Sequence, residues 1–221
     1  MTTRVGVVCE GAHDYVLLKG LIEAQLAGKP GPVVVESVQP QIDATSMQIG
    51  GGGWTVVTEW LKNHSGDQWD VFFDQPLFAT SPTYDAIVVH LDGDVLELSR
   101  QFNKTLRRQA QSSVGRRVSV LENWIVQLLN PSARNKLNLV AAIPVLHSEA
   151  WILAGLQANP GNVEGARCKG RAKRLLSRRY AGNAVKRVID ATAALAAVLP
   201  TIRQRAQSYS IFYNKVAARF P

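Results

Sequence analysis

The chain predicts an α/β fold, a mainly parallel sheet flanked by helices with a helical C-terminal extension. Three observations carry that expectation. The runs Val5-Gly6-Val7-Val8 and Ile87-Val88-Val89 are short, β-branched and apolar throughout, as strands buried on both faces must be. Each run stops at an acid and a glycine, Glu10-Gly11 or Asp92-Gly93. Beyond Leu91, helical spacing dominates to the end of the chain.

In order, Arg4–Glu10 reads as a strand and Asp14–Ala27 as a helix, joined through a Gly-Pro turn at Gly28–Pro32 to a second strand, Val33–Val38. Gln39–Gly53 reads as loop, ending in four consecutive glycines, before the short helix Trp54–Asn63. A phosphate could sit against the amides of that helix start. No Gly-Lys-Ser/Thr follows, so this is not a Walker loop and a connector is the simpler reading. Gly66–Asp85, rich in Asp, Pro and aromatics, looks like an excursion before the strand Ala86–Leu91. Leu98–Gln111 and Val118–Leu129 have helical spacing, and Val118, Leu121, Ile125, Leu128 and Leu129 share a face. Leu137–Ile143 is a further apolar strand, ended by Pro144, after which Ser148 is placed to cap a short buried helix. Arg167–Arg179, Ala184–Leu199 and Ile202–Phe220 complete the helical part.

With 221 residues the chain can bury an adequate core without staples. Cys9 and Cys168 lie far apart with no C-x-x-C spacing, which suggests neither a disulfide framework nor a structural zinc site. The N-terminus runs straight into a strand and no apolar stretch reaches the length of a membrane span, so a soluble, cytoplasmic protein is expected. The net charge of +8 hides a division: residues 1–99 hold 4 Lys/Arg against 13 Asp/Glu, whereas residues 100–221 hold 21 against 4. A cationic half supplies the sequence-independent part of polyanion affinity. Its densest run, Arg167, Lys169, Arg171, Lys173, Arg174, Arg178 and Arg179, is the candidate nucleic-acid contact, a solvated helix face being the alternative.

The acidic half concentrates its chemistry at two strand ends. Glu10 and Asp14 follow the first strand; Asp92, Asp94 and Glu97 follow Ile87–Leu91. In open α/β sheets ligands bind outside the carboxyl ends of strands, so neighbouring strands would deliver both groups to one crevice. Gathered carboxylates repel, and a fold that gathers them needs a cation or must keep some protonated. Mg²⁺ or Mn²⁺ fits an all-oxygen set. Taken singly, the first group also reads as acids at a helix start and the second as a polar turn. His147 and Glu149 follow the later strand, where Glu149 is either a further ligand or a supporting acid. His13, His64 and His90 form no H-x-x-x-H arrangement, which argues against a zinc hydrolase.

Glu10-x-x-x-Asp14 after one strand and Asp92-x-Asp94-x-x-Glu97 after another resemble the Toprim domain, closest to Toprim nucleases of the overcoming-lysogenization-defect type. Ser148-Glu149-Ala150-Trp151 is similar to a motif of small stand-alone Toprim-like proteins found near defence genes. The resemblance implies a metal-binding Toprim-like α/β domain over residues 1–160, with 161–221 a basic helical extension packed on it. It further implies a Mg²⁺- or Mn²⁺-dependent nuclease in a phage-defence or mobile-element setting. Glu10, Asp92 and Asp94 would bind metal while Asp14 and Glu97 complete a second site. A basic residue late in the domain would stabilise transition-state charge, and Lys169 and Lys173 are the candidates by position. Nucleic acid is the expected partner, with a homodimer or a separately encoded protein as further partners. The sequence departs from the nucleases in lacking an ATPase domain and in placing His90 where a small hydroxyl residue is common. Asp92-Gly93-Asp94 also resembles the signature of haloacid-dehalogenase-like phosphatases. A non-catalytic nucleic-acid-binding protein with a structural cation is the third reading.

Overall fold

A computed structural model describes residues 1–40, 53–74, 83–132, 135–165 and 167–221. The α/β architecture expected from the sequence is present. Four parallel strands, β1 (Thr3–Val8), β2 (Val33–Gln39), β3 (Ala86–His90) and β4 (Leu139–Ala142), pair in the order β2-β1-β3-β4. The chain leaves β1 toward β2 and returns to the other side of β1 as β3. A crevice therefore opens between the carboxyl ends of β1 and β3, the topological switch point of the sheet.

Alternation along the strands sends side chains into two cores. Val5, Val7, Ala86, Val88, Val140 and Ala142 meet one set of helices, while Val8, Ile87, Val89 and Ala141 meet the other. The first face carries α1 (Ala12–Leu26) and the C-terminal elements. The second carries α2 (Trp54–Asn63), the short α3 (Asp67–Asp70) and α4 (Val95–Leu98), then α5 (Lys104–Gln111) and α6 (Val114–Leu129). A 3₁₀ turn at Lys136–Asn138 shortens the strand expected from Leu137.

The C-terminal elements are α7 (Glu149–Leu156), α8 (Cys168–Arg179), α9 (Ala184–Ala196), α10 (Leu199–Arg205) and α11 (Gln207–Arg219). They share the core of the sheet: Ala172, Val188, Ile202 and Phe212 belong to the cluster that holds Val5, Val7 and Leu21. At the α1–α9 contact a Cβ on Gly20 would overlap the side chain of Thr192, so the helices approach closely there. Among the described residues no helix is long and apolar enough to cross a membrane.

Several boundaries differ from expectation, each through capping. The helix expected over Leu98–Gln111 is two: Ser99 turns extended, and Asn103 starts α5 by accepting from Leu106 N at 2.9 Å. Ser113, placed by the sequence pattern in a break, instead caps α6 by accepting from Arg116 N, so that helix begins at Val114. The long terminal helix expected from Ile202 breaks at Ala206, where Glu164 accepts from Gln207 N and Ser208 N at 3.1 and 2.9 Å and opens α11. A distant acid supplies that cap, and no local spacing announces it. Gly50–Gly52, the start of the proposed phosphate-cradling loop, lies outside the described residues, as does part of the Gly66–Asp85 excursion.

Candidate metal centre

Register brings the two acidic groups together. Val5 to Val8 pair with Ala86 to Val89, so the residues that follow these strands emerge side by side. Glu10 Oε1 accepts a hydrogen bond from Asp92 N at 2.7 Å, closing the β1 and β3 ends on one another. Asp14 sits in the first turn of α1 and accepts from the Ser148 hydroxyl at 2.7 Å. That hydroxyl does not cap α7, the role expected of it. Instead Ser148 links three elements, because its backbone N–H donates to Asp92 Oδ1 at 3.1 Å.

The third contribution comes from the loop after β4. His147 Nδ1 donates to Asp92 Oδ2 at 3.1 Å and lies 3.6 Å from Asp94 Oδ2. Trp151 holds this loop in place from within α7. Fully buried, it stacks on Phe212 at 5.6 Å between ring centres, meets Tyr209 edge-on and donates Nε1–H to Ser208 Oγ at 2.9 Å. Gly93 lets the β3–α4 loop lie backbone-to-backbone on the β4–α7 loop, since a Cβ there would overlap the carbonyl oxygens of Pro144 and Val145.

Arg117, from α6, fastens those two loops. Its guanidinium donates to Gly93 O at 2.9 Å, Val145 O at 3.2 Å and both oxygens of Glu97 at 3.1 and 2.7 Å. Glu97, expected to complete a second metal site, is thus held by Arg117 and serves the loop that carries Asp92 and Asp94. Asp94 itself stands beside His147.

Among the described residues, two groups of three offer ligand atoms mutually within 4.8 Å: Asp14, His90 and Asp92, and Asp92, His147 and Glu149. Asp92 belongs to both. His90 ends β3 fully buried, and among the described residues neither of its ring nitrogens has a hydrogen-bond partner, although Nε2 lies 3.6 Å from Asp92 Oδ1. An orphaned buried imidazole beside a carboxylate is what a cation position would satisfy.

Electrostatics point the same way. Burial pushes Glu10 up to about 7, with Asp92 and Asp14 adding to the rise and His90 opposing it. Burial also raises Asp94 and Glu149 above the usual carboxylate range. The hydrogen bond to Asp92 raises His147. Without a cation, the cluster keeps protons that ordinary exposed acids would release; a cation relieves that crowding.

The basic run forms α8, which buries Cys168, Ala172 and Leu176 and leaves Arg167, Lys169, Lys173, Arg174, Arg178 and Arg179 exposed. Lys169 lies near enough to act electrostatically on Asp94, His147 and Glu149. Lys173 lines a cavity together with Asp14 and Glu149. Arg171 differs: it is half-buried and donates to Asn162 O at 3.0 Å, Gln157 Oε1 at 3.2 Å and Pro160 O, fastening the α7–α8 loop.

Sequence reasoning did not assign roles to Arg117, Ser148 and His90 at this centre. A Ser directly before Glu149 reads as a cap, and His90 reads as part of a strand; neither spacing signals a ligand. No protein-family model, curated protein or solved structure matches this chain.

Proposed function

We propose that the chain is a divalent-metal-dependent phosphodiesterase, a nuclease of the cytoplasm with a Toprim-like centre. One observation supports this above the others: Asp92 is common to two ligand groups on the crevice between β1 and β3. Asp14, Asp92 and His90 would hold one cation, and Asp92, His147 and Glu149 a second. Asp92 would serve both positions, and cations held there would supply an activated water and neutralise the leaving oxygen of an in-line displacement. Two imidazoles in the donor set favour Mn²⁺ over Mg²⁺, which takes oxygen ligands almost exclusively.

The remaining residues position these. Glu10 pins the Asp92 backbone, Ser148 ties Asp14 to Asp92, and Arg117 with Glu97 holds the two loops in register. Lys169 brings positive charge close enough to act on Asp94 and Glu149, and would help to balance the negative charge of a phosphate there. The exposed cations of α8 would follow the backbone of the polyanion.

The haloacid-dehalogenase-like alternative would use Asp92 as a nucleophile, and its test is a phosphoenzyme at Asp92, which the metal-dependent reading does not form. The non-catalytic alternative leaves the shared use of Asp92 by two ligand groups without a purpose. Mn²⁺-dependent cleavage of plasmid and single-stranded DNA or RNA by the wild type and by Asp92→Asn, purified alike, tests the proposal. Loss of an outer-shell partner alone costs 10–100-fold, so loss of the shared ligand should cost more than about 100-fold. Equal rates and products from both preparations would overturn the reading.

A further inference from the structure

Beside the candidate metal centre lies a cavity of 280 Å³ formed by α1, α7, α8 and α9. Three sets of residues in its lining bear on what it could hold. Asp14 and Glu149 belong to the two cation groups, so the cavity adjoins the reacting centre directly. Leu17, Ile152, Leu176 and Val188 give it an apolar surface. Lys173 and Arg187 bring two cations, and Arg187 Nε is buried with no hydrogen-bond partner among the described residues.

We propose that this cavity receives one unpaired nucleobase adjoining the scissile phosphate, which makes single-stranded nucleic acid the substrate. The inference rests on the phosphodiesterase reading and deepens it by naming the substrate class. Asp14 and Glu149 line the cavity and belong to the two ligand groups, so a phosphate bound at cations held there would adjoin it, and the group attached to that phosphate through its sugar is a base. Pockets that take whole drug-sized ligands span about 300–1,000 Å³, so a space of 280 Å³ suits a single ring system. Apolar side chains cover the faces of the base, and Lys173 brings positive charge for a neighbouring phosphate. A base held in a duplex reaches such a cavity only after unpairing and unstacking, which costs a few kcal/mol for each flipped nucleotide. Single strands escape that cost.

Ala184 lines the cavity and is exposed, at the first position of α9, so Ala184→Trp fills the space without displacing buried structure. Mn²⁺-dependent cleavage is measured on a labelled single-stranded oligonucleotide, on the same strand carrying one abasic nucleotide scanned through it, and on a blunt duplex. Mn²⁺ affinity, followed by titration, checks that the variant centre is intact. For the wild type, kcat/KM should fall about tenfold when the abasic nucleotide occupies the cavity and about tenfold or more on the duplex. Ala184→Trp should lose about tenfold on the normal strand and cleave normal and abasic strands alike. Duplex cleavage as fast as single-strand cleavage, or Ala184→Trp with wild-type kcat/KM and an unchanged abasic effect, overturns the base pocket while leaving the phosphodiesterase reading in place. Absence of Mn²⁺-dependent cleavage on all three substrates overturns both.

Discussion

Replacing Arg117 with methionine should both destabilise the protein and loosen the metal centre. The side chain is 8% exposed and donates to Gly93 O, Val145 O and the two Glu97 oxygens. Methionine keeps much of the volume and removes every donor. Breaking a fully buried ion pair by deleting one partner costs about 3–5 kcal/mol. The Glu97 side chain is 39% exposed, so water recovers part of its loss. The two carbonyls lose charge-assisted bonds, each of them about 1.5–3 kcal/mol before relaxation. These bonds belong to one network, so the figures overlap rather than add, and after relaxation the loss is about 2–4 kcal/mol. At about 2–4 °C per kcal/mol for a chain of this size, Tm should fall by roughly 4–16 °C. Urea and thermal unfolding in EDTA would measure the stability change, and a cycle with Glu97→Gln would isolate the pair. Mn²⁺ titration of the folded variant should show weaker binding, since the loops carrying Asp92, Asp94 and His147 are no longer fastened together. Stability within about 1 kcal/mol of wild type, with unchanged Mn²⁺ affinity, would refute the fastening role.

Three further outcomes follow from the centre and from α8. Glu10 has a folded-state pKa of about 7, above its ordinary 4.5, so the folded protein holds that proton more tightly than the unfolded chain does. Its contribution favours the cation-free fold below about pH 4.5 and is lost as pH rises through about 7. Glu10→Gln should flatten the fall in stability between those values, and an unchanged profile in EDTA would contradict the assignment. On α8, Lys169, Lys173 and Arg174 changed together to alanine should weaken binding to all nucleic-acid sequences alike and lower the slope of log K against log salt by about 0.7–0.9 for each phosphate no longer neutralised. Arg171→Ala should instead lower stability and leave that slope unchanged, because its donors hold Gln157, Pro160 and Asn162; an unchanged slope in the triple variant would make the run an ordinary solvated face.

The strands and the meeting of their acids were legible because both depend on local pattern plus one topological rule. Val5–Val8 and Ile87–Val89 are buried on both faces, and residues that follow neighbouring parallel strands must share a crevice. Hydrogen-bond pairing of β1 with β3 then places Glu10 against Asp92. What was not legible depends on contacts between residues far apart in the chain. Glu97 fits the spacing of a ligand, yet its orientation is decided by Arg117, which arrives from α6. Ser148 has the sequence position of a cap, but Asp14 and Asp92 compete successfully for its hydroxyl and N–H. His90 reads as part of a strand until its neighbours are known. The break before α11 has the same origin, since Glu164 supplies the cap from a loop more than 40 residues away.

Sharing of Asp92 by two cations, on which the proposed chemistry depends, is tested most directly by anomalous diffraction from crystals soaked in Mn²⁺. Two anomalous peaks about 3.5–4 Å apart are expected, both within bonding distance of the Asp92 carboxylate. One should be completed by Asp14 and His90 and the other by His147 and Glu149. Peaks confined to surface carboxylates, or no peak within ligand distance of Asp92 at saturating Mn²⁺, would contradict that sharing.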